Sequence, residues 1–181
     1  MSFAADCATL PDHVANACND YAKGGFPSIA VINQDHTITD WTNSSQWATN
    51  ITSGAVKVID RIKANIPENS EIKSDNPVAC GAQQILDGFD WTTEWMDAQR
   101  STFNDDFYKT LNKKEAFIVL WNKDESKIIV IDKPCTFVAK PVYPASNREN
   151  QHYIVKAEWT SSDDWFPNEY TAPTGVFTYS T

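Results

Sequence analysis

Two short apolar runs separated by a polar turn constrain the fold of this chain more than any other part of its sequence. Ala116–Trp121 is apolar throughout, residues 127–131 are rich in isoleucine and valine, and residues 122–126 between them have the composition of a turn. A strand that is apolar at every position needs cover on both of its faces, from the protein core or from a partner. The sequence therefore predicts a β-hairpin that is covered on both faces.

Other segments have the β-branched and aromatic composition, or the alternation of apolar and polar residues, that is typical of strands. They are residues 29–32, 37–41, 56–66, 83–86, 91–96, 135–142 and 151–160. Residues 56–66 also fit a helix, but we favour a strand because isoleucine and valine dominate and no helix cap precedes them. Polar composition predicts turns at residues 33–36 and 87–88, and a long exposed loop over residues 67–77. Residues 42–50 form a further polar stretch.

The spacing of apolar residues predicts two helices. Residues 102–112 have an apolar stripe at helical spacing, and Ser101 or Thr102 can cap the first turn. This stripe consists of Phe103, Phe107, Tyr108 and Leu111. Residues 11–22 have the pattern of a shorter helix that Gly24-Gly25 would end. The predicted fold is therefore mainly β (α+β), an antiparallel β-sandwich or barrel with one flanking helix and a short N-terminal helix.

Length, composition and charge limit the classes to which the protein can belong. Its 181 residues, 41% hydrophobic and 22% charged, are enough for one folded domain. We assign residues 1–162 to that domain and residues 163–181, which are aromatic and interrupted by proline, to a C-terminal arm. A net charge of −9 argues against binding to nucleic acid or to an anionic membrane surface. Residues 1–7 lack the basic and apolar regions of a signal peptide.

Four cysteines are spread over the sequence without a CxxC pair. They are Cys7, Cys18, Cys80 and Cys135. We expect buried free thiols, as in a protein made in a reducing cytosol. A disulfide between Cys7 and Cys18, or metal ligation, is the alternative.

No motif in the sequence predicts a catalytic, cofactor-binding or metal-binding site. The histidines, His13, His36 and His152, are isolated, and neither a GxSxG nor an HExxH motif is present. Adjacent carboxylates occur at Asp105-Asp106, where a helix dipole explains them, and at Asp163-Asp164, where a turn does. We therefore predict a protein that is not an enzyme and has no cofactor.

Two further functions remain open as alternatives. Seven tryptophans are a high number for this length, and an exposed tryptophan can stack on a sugar ring, so a carbohydrate-binding β-sandwich is the main rival. A small hydrolase is the other, because the two acids of a glycosidase are often distant in sequence. Sugar binding would change tryptophan fluorescence when an oligosaccharide is added.

The order of the predicted elements carries a resemblance to a known group. A strand at residues 91–96, a helix at 102–112 and a hairpin at 116–131 follow one another, and their sequences are GFDWTTE from Gly88, NDDFYKTLN from Asn104 and the run around Phe117. This order resembles the tail-tube group of bacteriophage virion proteins, over residues of about 50–160. The resemblance implies a β-sandwich with one flanking helix whose subunits join edge to edge into a ring. The predicted N-terminal helix, the 67–77 loop and the aromatic arm depart from that pattern.

The resemblance also implies where the protein acts and what it contacts. We expect a structural component of a phage tail or neck, assembled in the host bacterial cytoplasm, with no membrane contact. Its partners would be copies of itself in a ring and the neighbouring tail or neck proteins. DNA would pass without specific binding, because an acidic channel wall repels phosphates. The residues expected at the subunit interface are Trp165, Phe166, Tyr170 and Phe177 in the arm, with Glu71 and Ile72 in the predicted loop.

Overall fold

Strands dominate the architecture. A computed structural model of the chain describes residues 25–76, 83–99, 101–122, 126–145, 151–162 and 165–176. In chain order the elements are β1 (Ser28–Asn33), α1 (Ser44–Thr52), β2 (Val56–Ile59), β3 (Lys63–Asn65), β4 (Ser70–Asn76), β5 (Gln83–Asp97), α2 (Thr102–Leu111), β6 (Ala116–Trp121), β7 (Lys127–Val142), β8 (His152–Ser162) and β9 (Asn168–Thr171). The predicted mainly β fold is confirmed. The predicted N-terminal helix, Cys7, Cys18 and Cys80 lie outside the described residues.

Nine antiparallel strands form a sheet that closes on itself. The strand order is β2-β1-β6-β7-β8-β5-β3, with β9 beside β7 and β4 beside β5. Phe26, just before β1, exchanges two backbone hydrogen bonds of 2.9 Å with Ala64 of β3. Because β3 is one end of the strand order and β1 lies next to the other end, this contact closes the sheet into a barrel.

The main hydrophobic core lies inside the barrel. Along β8, the residues Tyr153, Val155, Ala157 and Trp159 are buried, and they alternate with residues that are exposed or half-buried. Helix α2 packs against this core through Tyr108 and Leu111. Its first turn is capped by Ser101, whose hydroxyl accepts a hydrogen bond from the backbone N–H of Asn104. The predicted helix is therefore confirmed, although Phe103 of the predicted stripe is exposed.

A second apolar cluster covers the outer side of β1, β6 and the first half of β7. Val119 and Trp121 of β6 belong to this outer cluster, whereas their neighbours on the strand face the barrel core. Trp47 of α1 packs on this side, with its ring edge-on to Trp121 at 5.1 Å between centroids. The apolar run of β6 is thus covered on both faces, and the predicted hairpin with β7 is confirmed.

Residues 37–50 differ from the sequence prediction. Residues 37–41 form a loop and not a strand, and most of the polar stretch that follows is α1. Asp40 accepts hydrogen bonds from the backbone N–H and the hydroxyl of Thr42, and Asn43 caps α1 by accepting from two backbone N–H groups. These local side-chain contacts compete with strand pairing and outweigh the β-rich composition. The hydroxyl of Thr42 is also the main reason that the pKa of Asp40 lies below its ordinary value.

Two predicted connections are strands. Residues 70–76 form β4 and not a loop, and β5 continues without a turn through Asp87-Gly88. A Cβ on Gly88 would lie only 2.0 Å from the backbone oxygen of Ser161 on β8. The pairing of β4 with β5 also shifts register between Ile72 and Lys73. The glycine therefore marks a bulge and a close approach of two strands.

The other strand predictions hold with altered bounds. Residues 127–131 and 135–142 merge into β7, which pairs with β6 and β9 in its first half and with β8 in its second. Residues 56–66 divide into β2 and β3 around Arg61, whose φ is 57°. Residues 168–171, from the segment assigned to an arm, form β9 on the same sheet.

Candidate interaction surfaces

The two histidines of the described residues lie in different parts of the fold. His36 lies in the exposed turn after β1, and His152 begins β8. Asp106 is exposed on α2, where Lys109 lies 3.7 Å away. No group of three or more His, Cys, Asp or Glu side chains with metal-binding geometry occurs among the described residues. His13, Asp163 and Asp164 lie outside them.

One carboxylate, on Asp97 at the end of β5, is buried. It accepts hydrogen bonds from the hydroxyl of Tyr108 at 2.8 Å and from the backbone N–H of Gln99 at 2.7 Å. Burial raises the pKa of Tyr108 far above its ordinary value, so this phenol remains a donor. The Tyr153 hydroxyl donates to Asp105 in the first turn of α2. Both contacts attach α2 to the end of the barrel.

Cys135 lies in the core and carries a free thiol. Its sulfur donates a hydrogen bond to the carbonyl of Lys133 at 3.4 Å. Burial raises its pKa well above the ordinary value, which keeps the thiol protonated and unreactive. The expectation of a buried free thiol is confirmed for this cysteine.

The tryptophans pack within the protein. All seven lie in the described ranges, and each is buried or half-buried. Trp91 and Trp159 stack with their centroids 6.1 Å apart, and Trp165 meets both rings edge-on. The exposed large apolar side chains of the described chain include no tryptophan. The carbohydrate-binding alternative requires an exposed indole on which a sugar can stack. The described residues provide no fully exposed indole of this kind.

The six predicted interface residues do not form one surface. Trp165 donates through Nε1 to Asp132 at 2.8 Å, and the ring of Tyr170 packs against Trp41 on the other apolar cluster. Phe166, by contrast, is 64% exposed. Glu71 is exposed and Ile72 is half-buried, both in β4. Phe177 lies outside the described residues.

A two-stranded ribbon extends beyond the barrel. We define it as residues 73–76 of β4 and 83–87 of β5, which pair with each other. β8 pairs with β5 only from Gly88 onward, so both outer edges of the ribbon lack a strand partner among the described residues. Ile85, in the middle of the ribbon, is 44% exposed. The polar composition of residues 70–76 concealed this strand, because polar residues are also typical of loops.

One face of the barrel carries no helix or strand over it among the described residues. We call it the open face, and it is formed by the outward residues of β3, β5, β8 and the second half of β7. Its side chains are Lys63, Asn65, Asp90, Thr92, Glu94, Met96, Thr136, Val138, Lys140, Ile154, Lys156, Glu158 and Thr160. α1 and the 170–176 segment cover the outer side of the other half of the sheet.

The two ends of the open face differ in shape and chemistry. Near α2, a cross-strand row places Met96 beside Ile154, and Lys63 and Lys140 flank them on the neighbouring strands. We call the pair of Met96 and Ile154 the apolar ridge. At the opposite end, a hollow of about 450 Å³ is lined by threonines with Asp90 and Glu158, above the half-buried Trp91. Lys156, between the two ends, forms an ion pair of 2.6 Å with Glu158, which raises the pKa of this lysine.

Comparison with protein-family models finds no family that matches this chain, and no curated protein matches it significantly. Neither helix among the described residues is long and apolar enough to cross a membrane.

Proposed function

We propose that the protein is a structural subunit of a phage tail tube or neck that assembles with copies of itself into a ring. The observation that carries this proposal is the ribbon that β4 and β5 form beyond the barrel. The resemblance in element order supplies the phage context, and the barrel with α2 packed at its end is consistent with it.

The ribbon has little support from the rest of the barrel, because its two strand segments pair only with each other in the described part of the chain. An isolated pair of strands is marginal in water, and each outer edge presents unpaired backbone donors and acceptors. Exposed Ile85 adds apolar surface to the same element. Pairing with a neighbouring copy would satisfy the edges and bury that surface.

The available partner edges lie elsewhere on the barrel. β2 pairs only with β1, and β9 pairs only with β7, among the described residues. Contact between the ribbon of one copy and a different edge of the next copy is heterologous, and heterologous contacts generate rings when the rotation closes. Phe166, exposed just before β9, would then lie near such a contact.

The charge of the subunit suits a ring through which DNA passes. Each copy carries a net charge of −9, and copies around a channel would add their repulsion of phosphates. The charge therefore supports the ring together with the strand edges of the ribbon.

Ring assembly is tested by measuring molar mass with light scattering over a concentration series. The wild type should reach the mass of a closed multimer, and Ile85→Glu should prevent it because a carboxylate on the ribbon opposes burial. Ile154→Glu is the matched control, since that aliphatic side chain is comparably exposed but lies on the open face. A folded wild type that is monomeric at every concentration and is absent from phage particles contradicts the proposal.

A further inference from the structure

We propose that the open face binds the open face of a second copy, with the two copies related by a two-fold axis. The contact would place the apolar ridge of each copy in the hollow of the other. This proposal concerns a face of the sheet and does not depend on the ring, which concerns strand edges.

The exposed apolar side chains of the open face lie at neighbouring positions near one end. Met96 and Ile154 are directly paired across β5 and β8 and are 41% and 50% exposed, and Val138, diagonal to Ile154, is 44% exposed. Three large apolar side chains at neighbouring positions on a sheet surface are the kind of patch that marks an interaction site. The outward side chains of the face include no aromatic ring, and Trp91 and Trp159, which border the hollow, stack on each other in the barrel core. The face is therefore suited to packing against another sheet.

The charge of the face favours a second copy as the partner. The chain as a whole carries −9, but the open face carries three acidic and three basic side chains, so its net charge is 3 − 3 = 0. Two highly acidic molecules repel each other least where their surfaces are neutral. This face is therefore a favourable place for two copies to meet.

The charges are also separated along the strands. Lys63 and Lys140 flank the ridge, whereas Asp90, Glu94 and Glu158 outnumber Lys156 toward the hollow. Met96 and Asp90 are six residues apart on β5, about 20 Å, which prevents the two ends of one face from pairing with each other. When a second copy is turned end for end, its lysines lie over the carboxylates of the first copy. The two-fold symmetry produces a second, equivalent contact between the lysines of the first copy and the carboxylates of the second.

The positions of the hollow and the ridge agree with the same arrangement. The hollow lies at the acidic end, and the ridge lies at the basic end. An isologous contact uses the same surface of both copies, so one ridge-and-hollow pair generates the second by symmetry. Lysine stems can cover the rim of the hollow with their methylene groups while their amines reach its carboxylates.

Analytical ultracentrifugation of the full chain tests the proposal with variants that change one surface at a time. Ile154→Glu should weaken face-to-face association about tenfold or more, equivalent to about 1.4 kcal/mol. Ile85→Glu should leave a two-copy species intact, even if it abolishes the ring. Equal effects of the two substitutions on the two-copy species would overturn the proposal.

A charge exchange gives an independent test that does not depend on one apolar side chain. The first variant carries Lys63→Glu and Lys140→Glu, and the second carries Asp90→Lys and Glu158→Lys. Each alone should associate with itself about tenfold more weakly than the wild type, because like charges then face each other. An equimolar mixture should restore association, since each acidic end then meets a basic one. Failure of the mixture to associate overturns the face-to-face arrangement, and a surviving ring in all three samples would leave the ring proposal standing.

Discussion

At the scale of single residues, the buried carboxylate of Asp97 needs hydrogen-bond donors from its neighbours. Its carboxylate is buried, and the hydroxyl of Tyr108 provides one of the two hydrogen bonds that it accepts. Tyr108→Phe keeps the ring but removes that donor, so we expect a loss of about 1–3 kcal/mol in the free energy of unfolding. Urea denaturation of the two proteins measures the difference.

Tyr170→Phe is the matched control for this substitution. It removes a hydroxyl that makes no hydrogen bond to the described residues, while the ring contact with Trp41 remains. We expect a change within about 0.5 kcal/mol, as for ordinary surface substitutions. Equal losses for the two variants would show that the contact between Tyr108 and Asp97 does not stabilise α2 on the barrel.

At the scale of elements, periodicity and composition predict correctly those strands and helices whose conformation depends on their own residues. The run of β6 and the capped, amphipathic α2 were predicted correctly because their periodicity and composition agree with their final environment. α1 was missed because its inward surface depends on Trp47 with little other apolar periodicity. β4 was missed because a polar strand has the composition of a loop, and its pairing with β5 is visible only in three dimensions.

The sequence alone could not predict which residues form the two candidate surfaces. The open face unites side chains from four strands, and strand neighbours and register are properties of the tertiary fold. The aromatic composition of residues 163–181 favours an interface when the sequence alone is considered. The fold instead places the rings of Trp165 and Tyr170 against their own chain and leaves Phe166 exposed.

The contact between β5 and β8 at Gly88 gives a prediction at this scale. An alanine Cβ there would lie 2.0 Å from the backbone oxygen of Ser161, which cannot rotate away as a side chain can. Gly88→Ala should therefore destabilise the protein by about 3 kcal/mol or more. At Gly25, where φ is +94° and no atom lies within 4 Å of an added Cβ, alanine should cost only about 1–2 kcal/mol of backbone strain. Thermal unfolding should rank them in that order, and the reverse ranking would disprove the close approach.

At the scale of the whole molecule, charge and topology act together. The barrel leaves two surfaces without cover among the described residues, the ribbon and the open face, and they differ in the contacts that they can make. Ribbon edges favour heterologous contacts that repeat around a ring, whereas the neutral face favours a pair. If both form, two rings would meet through their open faces, so a species of twice the ring mass is the joint expectation.

The net charge gives the last prediction, which concerns DNA. At an ionic strength of 0.01 M, where the screening length is about 30 Å, the wild type should leave the mobility of linear double-stranded DNA unchanged in a gel-shift assay. The variant with Asp90→Lys and Glu158→Lys has a net charge of −9 + 4 = −5 and five lysines on its open face, so it should retard DNA more than the wild type does. Raising the salt concentration should abolish that retardation, because it depends on counterion release. If the wild type itself retards DNA in a salt-dependent way, the lysines beside the ridge outweigh the acidity of the chain, and a channel of these subunits would hold DNA instead of letting it pass.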